Sequence, residues 1–293
     1  MRSLLYIFLF VLISCTQNSK TLPGSTGSTN EIIVVIDDNL WNESYSDLFR
    51  SVFEKELIGV STYETKFKLL QINNFEFNSL LKSHRHIILV NNNPTAFASN
   101  KWAMNQVVFN VSTSDSENIF NDLQDVLSGL ENFLYLSSRS KLSKSYNSKA
   151  SNVLESRFLI DAFIPNEYET SLDSVNIFWL SYNPSKKEII KHLMFFKVDS
   201  LDILNPQLII NKKLFKYIKG PQAGSYVEIE KRYPLSLNDK FYRGLWRLEK
   251  GFMGGPLLAR IIRNESGTYL MLALAFSPNS PKRNFIQEVE AIL

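Results

Sequence analysis

The feature that most constrains this chain is its cysteine usage. Cys15 is the single cysteine among 293 residues, and it stands just after an apolar run from Leu4 to Ile13 that Met1-Arg2 opens with a positive charge. A charged start followed by a short apolar stretch is the pattern of a secretory signal. The run is too short to span a bilayer, which takes roughly 20 apolar residues. With no second cysteine, an intramolecular disulfide cannot form, so stability has to come from burial. An apolar content of 44% and an aromatic content of 13% are ample for that. About 260 residues follow position 30, enough for one large or two small domains.

Leu12-Ile13-Ser14-Cys15 resembles the bacterial lipobox, in which a small residue precedes a cysteine whose thiol takes a diacylglycerol. An ordinary signal peptide with an incidental cysteine, or a short uncleaved anchor, are the alternatives. The resemblance implies a signal peptide over residues 1–14, cleavage before Cys15, and a mature lipoprotein carrying palmitate-type chains on that residue. Stable anchoring takes more than one chain. Residues 15–30 are polar and rich in Gly, Ser and Thr, and are expected to form a lipidated flexible tether. As a coil of about 15 residues it would average roughly 20–25 Å end to end. Thr16 is unlike the aspartate of an inner-membrane retention signal, and no acidic run follows Cys15. The expected address is the cell envelope, at the periplasmic face of the outer membrane, with the membrane as partner through the N-terminal lipid.

The formal net charge of +3 is not the basic excess of a nucleic-acid binder, so nucleic acid is excluded as a partner. No motif implies a cofactor.

Along the body, the β-branched run Ile32 to Ile36 predicts a strand buried on both faces. Tyr45, Leu48, Phe49, Val52, Phe53 and Leu57 have helical spacing, and Gly59 ends that segment. Strands are expected over 66–72, 86–90 and 102–111. Ser114 and Glu117 read as a capping box before a helix with Ile119, Leu123, Val126, Leu130 and Leu134 on one face. Strand–helix alternation over 31–136 indicates an α/β-like domain. Residues 137–154 are a linker or a helix extension. From 155 to 293 the pattern changes to α+β with a mainly antiparallel sheet. Strands are predicted at 158–164, 175–182, 189–198, 226–231, 241–248, 257–263 and 268–276, with helices over 206–218 and after Pro281. The fold class is α+β.

Several segments carry a resemblance. Arg243-Gly244-Leu245-Trp246, Phe252-Met253-Gly254-Gly255-Pro256, Ala275-Phe276-Ser277-Pro278 and Lys282-Arg283-Asn284 resemble the signature of a bacterial envelope lipoprotein family, domain of unknown function family 4837. Trp41, Trp102-Ala103, Ile164-Pro165 and Phe178-Trp179 also resemble its pattern, so that the likeness would cover nearly the whole mature chain. Leu257 departs from it, standing where the family has phenylalanine. The resemblance implies an address and a fold, and brings no activity or catalytic residues.

Candidate sites are few. Phe252, Met253, Gly254, Gly255 and Pro256 form either a binding loop or a tight hairpin whose Phe and Met plug the core. Arg243, Trp246 and Arg247 are a candidate anion or partner surface, or else a half-buried strand with snorkelling arginines. Asp37, Asp38 and Glu43 form an acidic cluster after the first strand, where open α/β sheets often bind ligands. Turn formation and capping account for Asp37 and Asp38 equally well. His84 and His86 are two apart but lack a third ligand at metal-binding spacing, so no metal site is expected. There is no Gly-x-Ser-x-Gly elbow. The expectation is therefore a non-enzymatic binding or assembly module with an envelope protein or glycan partner. The alternative is an envelope hydrolase using the carboxylates near Asp37.

Overall fold

The structure is a computed structural model that describes residues 21–114 and 118–293. Cys15, the signal segment and Glu117 of the expected capping box lie outside the described residues. The β-branched run forms β1 (Glu31–Val35), and Ile32 to Ile36 are all buried. The acidic turn after it starts α1 (Asp38–Leu40), which passes through a π turn (Trp41–Tyr45) into α2 (Ser46–Phe53). β2 (Lys68–Ile72) and β3 (His86–Asn91) flank β1, both parallel to it. β4 (Ala96–Ser99) lies antiparallel to β5 (Val107–Ser112), which is parallel to β3. Among the described residues this sheet has the order β2-β1-β3-β5-β4.

α2 and α3 (Ile119–Ser143) cover one face of this sheet. Phe49, Phe53, Leu123, Val126 and Leu130 pack there against Ile32, Val34, Ile88 and Val90. The opposite face is covered by Phe77, Leu81 and Trp102, lying on Ile33, Val35, Ile87 and Val108. Parallel strands require crossovers, and here they supply α2 on one face and Phe77, Leu81 and Trp102 on the other, while α3 follows the last strand.

α3 extends past its apolar stretch into the polar residues after 136. Asn147 then caps α4 (Ser148–Phe158), its side-chain oxygen accepting from the Ala150 N–H at 3.0 Å. The strand expected over 158–164 does not form. Phe158 ends α4, and the following residues run extended between helices. Ile160 N–H donates to Leu154 O, Phe163 N–H to Ile292 O and Ile164 N–H to Ser151 Oγ. A short apolar run is compatible with any buried segment, and periodicity alone does not separate a strand from such a connector.

The second sheet is built from β6 (Glu169–Ser174), β7 (Ile177–Tyr182), β8 (Ile190–Val198), β9 (Val227–Ile229), β10 (Ser236–Asn238), β11 (Phe241–Leu248), β12 (Gly254–Asn264) and β13 (Gly267–Phe276). The order is β10-β11-β12-β13-β8-β7-β6, with β9 beside β11, and every pairing is antiparallel. α5 (Pro206–Tyr217) precedes β9, and α6 (Arg283–Ile292) ends the chain. Strand periodicity divides the side chains between two cores. Phe178, Leu193, Phe195 and Met271 face α4 and α6, whereas Met194, Phe196, Leu270 and Leu272 face α5. The chain is thus α+β.

The two halves are packed together. Leu57 and Val60 enter the core beneath α4 and α6. Arg139 of α3 donates to Ile292 O at 3.1 Å and pairs with Asp161. At the other end, residues expected within the tether are held by the body. Ser25 N–H donates to Met104 O, Thr26 N–H to Ser83 O, and Met104 N–H to Pro23 O. Residues 23–26, expected to belong to the tether, are therefore tied to the body. No helix among the described residues is long and apolar enough to cross a membrane.

Candidate functional site

The α5 face of the antiparallel sheet holds a cavity of about 180 Å³. Its floor is made by residues that strand register brings side by side. Leu274 of β13 pairs with His192 of β8, and Leu248 of β11 pairs with Val227 of β9. Trp246 lies two residues before Leu248 and so shares its face. The connection after α5, Ile218 to Pro221, supplies one wall, and Met253 supplies another.

Trp246 is held by two neighbours. Its Nε1–H donates to Ala275 O at 3.1 Å across the buried strand β12. Its register partner is Gly255, over which the indole must pass. A Cβ at Gly255 would lie 2.1 Å from Ala275 O. The glycine is therefore required by close approach, as the absence of a side chain lets the backbone and indole meet.

The polar side chain set into this apolar lining is His192. Its Nδ1 accepts a hydrogen bond from Trp179 Nε1 at 3.1 Å, and the two rings meet at 68° with centroids 5.4 Å apart. Burial lowers its pKa to about 4. The imidazole is thus neutral at ordinary pH, because a desolvated cation is disfavoured.

A domain of unknown function (DUF4837) matches residues 147–293, half of the chain. The chain belongs to the DUF4837 family. A second domain of unknown function (DUF8532) matches residues 25–147. The DUF4837 signature, expected over nearly the whole mature chain, is therefore confined to the second half. The two matches meet at Asn147, the cap of α4. No curated protein matches the chain. Among solved structures, the STAR-related lipid transfer protein (fragment 25–204) from Xanthomonas axonopodis is similar over 43% of this chain and 93% of that chain, at 10% identity and a TM-score of 0.22. A likeness at that score carries no argument.

The motif residues of the DUF4837 half divide between scaffold and pocket. Gly254, Gly255 and Pro256 are not a loop but the start of β12, paired with Arg247, Trp246 and Leu245. The turn is made by residues 249–253, where Leu248 N–H donates to Met253 O at 2.8 Å. Phe252 at its tip is 90% exposed, while Met253 turns into the cavity. The expected surface of Arg243, Trp246 and Arg247 does not form as a unit, because two of the three are buried while Arg247 stays partly exposed. Trp246 is only 6% exposed and Arg243 only 4%. Arg243 is paired with Glu290 of α6, and Arg247 with Glu228 and Glu249. Burial of Trp246 removes the basis of an aromatic docking strand.

The carboxylates divide similarly. Asp37 caps α1, accepting from Asn39 N–H at 3.0 Å, and Asp38 accepts from Gln71 Nε2 at 2.8 Å. Glu43 is exposed in the π turn. Asp37 and Asp38 thus serve a cap and a side-chain hydrogen bond while Glu43 faces solvent, which is the capping and turn reading of this cluster. A larger cleft of about 500 Å³ lies at the seam of the halves and includes Lys66, Glu131, Arg260 and Glu290. Two of its carboxylates are paired, Glu131 with Lys66 and Glu290 with Arg243, while Asp239 lines it without an ion pair among the described residues. Burial raises the Glu290 pKa, with Arg243 and Lys66 opposing it. This cleft is best understood as an interlocked boundary.

His86 is buried between Phe67 and Phe133, its Nδ1 3.1 Å from Glu31 O, and burial lowers its pKa to about 4. Burial also lowers the pKa of His84. Among the described residues no group of three His, Cys, Asp or Glu could hold a metal ion. Nothing in the sequence pattern singles out His192 as a site residue. Its only signal there was its place in an apolar strand, which is also the signal of a core histidine.

Proposed function

We propose that this protein is a lipid-anchored binding module of the bacterial cell envelope, which takes a small apolar group into the cavity floored by Trp246. The observation that carries the binding reading is the make-up of that cavity. It is lined by Trp246, Met253, Leu248, Leu274, Ile190 and Val227, and two of these belong to the family's own motif segments. Ligand sites are mostly apolar concavities with a few placed polar groups. An engineered apolar cavity of about 150 Å³ takes up benzene, so this volume suits a single ring or a short branched chain.

The anchor reading rests on the lipobox-like segment ending in Cys15. The chain is tied to the body from Pro23 onward. From Cys15 to Pro23 the chain reaches at most about 25–30 Å, which keeps the domain beside the bilayer. The periplasmic face of the outer membrane is the proposed address, with an envelope component as the ligand's source.

Two measurements test this reading. Cys15→Ser should move the protein from the membrane fraction to the soluble fraction, and continued sedimentation with membranes would refute the anchor. Titration of the full chain with ethylbenzene should quench or shift Trp246 emission with a saturable midpoint. Met253→Trp, which fills the cavity, should abolish that response. A response unchanged by Met253→Trp would refute the pocket.

A further inference from the structure

The hydrogen bond between Trp179 and His192 has a chemical consequence inside the cavity. Indole N–H is a donor only. His192 Nδ1, which receives it at 3.1 Å, must therefore carry the lone pair. In a neutral imidazole the proton then resides on Nε2, because one ring nitrogen donates when the other accepts. Among the described residues, no protein group pairs with Nε2 of His192. His192 thus contributes a donor with a fixed tautomer to a cavity whose other side chains are almost all apolar. Lys219, at the wall, donates its ammonium to Phe215 O and lies 3.9 Å from the Phe215 ring centroid.

We infer that the ligand of this cavity is a neutral molecule with a compact apolar group and a carbonyl-type acceptor oxygen, which takes the Nε2 proton of His192. This rests on the pocket reading proposed above and adds the chemical class of the ligand. A neutral donor suits a neutral acceptor. A carboxylate would have to shed its hydration in an apolar site, which is costly, and the Lys219 ammonium at the wall is turned to Phe215 O. Trp179 acts as a positioning residue: it touches no ligand but selects which nitrogen of His192 bears hydrogen, as the outer partners of ligating histidines do elsewhere.

The test uses the full chain in detergent and three single-ring probes: acetophenone, ethylbenzene and benzoate. Acetophenone and ethylbenzene are close in shape and differ by the carbonyl oxygen. One net hydrogen bond predicts that acetophenone is favoured over ethylbenzene by about 2- to 10-fold in the native protein. His192→Phe should bring that ratio close to one, whatever it does to ethylbenzene binding itself, whereas His192→Gln, which retains a donor, should keep the preference. Comparing ratios between variants cancels partition of the probes into detergent. Nitrogen NMR of the native imidazole should show Nε2 protonated and Nδ1 bare, and acetophenone should shift the Nε2 resonance most. Should His192→Phe fail to fold, the native ratio and the tautomer decide alone. Equal binding of acetophenone and ethylbenzene, an Nδ1–H tautomer, or benzoate binding most tightly would each overturn this inference while leaving the pocket in place. Binding of none of the three would instead overturn the pocket.

Discussion

The Glu64 carboxylate accepts hydrogen bonds from the backbone N–H groups of Lys282, at 2.8 Å, and Arg283, at 3.1 Å, and so caps α6 from the other half of the molecule. The helix has no side-chain cap of its own at Lys282. Glu64 is 8% exposed, and Arg283 reinforces the junction by donating to Thr65 O at 3.1 Å. Helix N-termini expose unpaired donors and favour negative charge, so a carboxylate there satisfies both needs. Glu64→Ala leaves two buried N–H groups without this acceptor. It should lower stability by about 1–3 kcal/mol in urea unfolding. It should also raise amide exchange in the first turn of α6 before that in β13. An unchanged urea midpoint would show that the cap does not join the halves.

The Arg243–Glu290 pair should behave as a buried pair. Arg243 is nearly inaccessible, and burial already raises the Glu290 pKa despite the guanidinium. Removing one partner strands the other. Arg243→Ala is expected to cost about 3–5 kcal/mol, while Arg243→Met combined with Glu290→Leu should cost much less, since an apolar pair needs no solvation. A double-mutant cycle by chemical denaturation measures this, and additive losses would contradict it.

Gly255 and Trp246 form a single steric unit. Gly255→Ala would drive a methyl group into Ala275 O, displacing the acceptor of the Trp246 N–H. Overpacking of this kind costs about 1–3 kcal/mol, and the lost bond adds to it. A thermal scan should therefore show a larger loss for Gly255→Ala than for Trp246→Phe. Phe252→Ser, at the exposed tip of the same hairpin, should stay within about 0.5 kcal/mol of the native protein.

Acid should unfold this protein partly through its histidines. Burial holds His86 and His192 at about 4 in the folded chain, against 6.5 ordinarily. The folded-state value is the lower one, so the unfolded chain binds the proton first. The stabilisation is fully present above pH 6.5 and is lost as the pH falls towards 4. Each histidine contributes at most about 3 kcal/mol across that window. His86→Leu should flatten the pH dependence of the urea midpoint relative to the native chain by one histidine's share. Parallel curves for the two proteins would refute it.

Much of the fold was legible because its signals are local. The β-branched run of β1, the alternation of β11 and the apolar face of α3 each express a backbone period within a few residues. Other elements had no such signal. β6 is exposed along its whole length, so no residue on it reports a core. α4 buries Ala150, Ser151, Leu154 and Phe158 amid polar residues, a stripe too thin to distinguish from a linker. The 158–164 run is as apolar as a strand, yet it packs among α4, α6 and the sheet face without pairing to a strand among the described residues.

Local pattern was enough for the α+β class and the order of most elements. It also isolated Cys15 as the one residue whose chemistry sets an expected address. Only the tertiary structure decided what the remaining residues do. Asp37 could have been a catalytic acid or a cap, and the Asn39 N–H beside it makes it a cap. Trp246 could have faced a partner or the core, and the gap above Gly255 draws it inward. His192 meets Trp179 across a hairpin and meets the chain after α5 at the cavity, and neither neighbour is near it in sequence. Periodicity depends on neighbours in sequence, whereas a cavity depends on which segments fail to fill the space between them, and that is set by long-range packing.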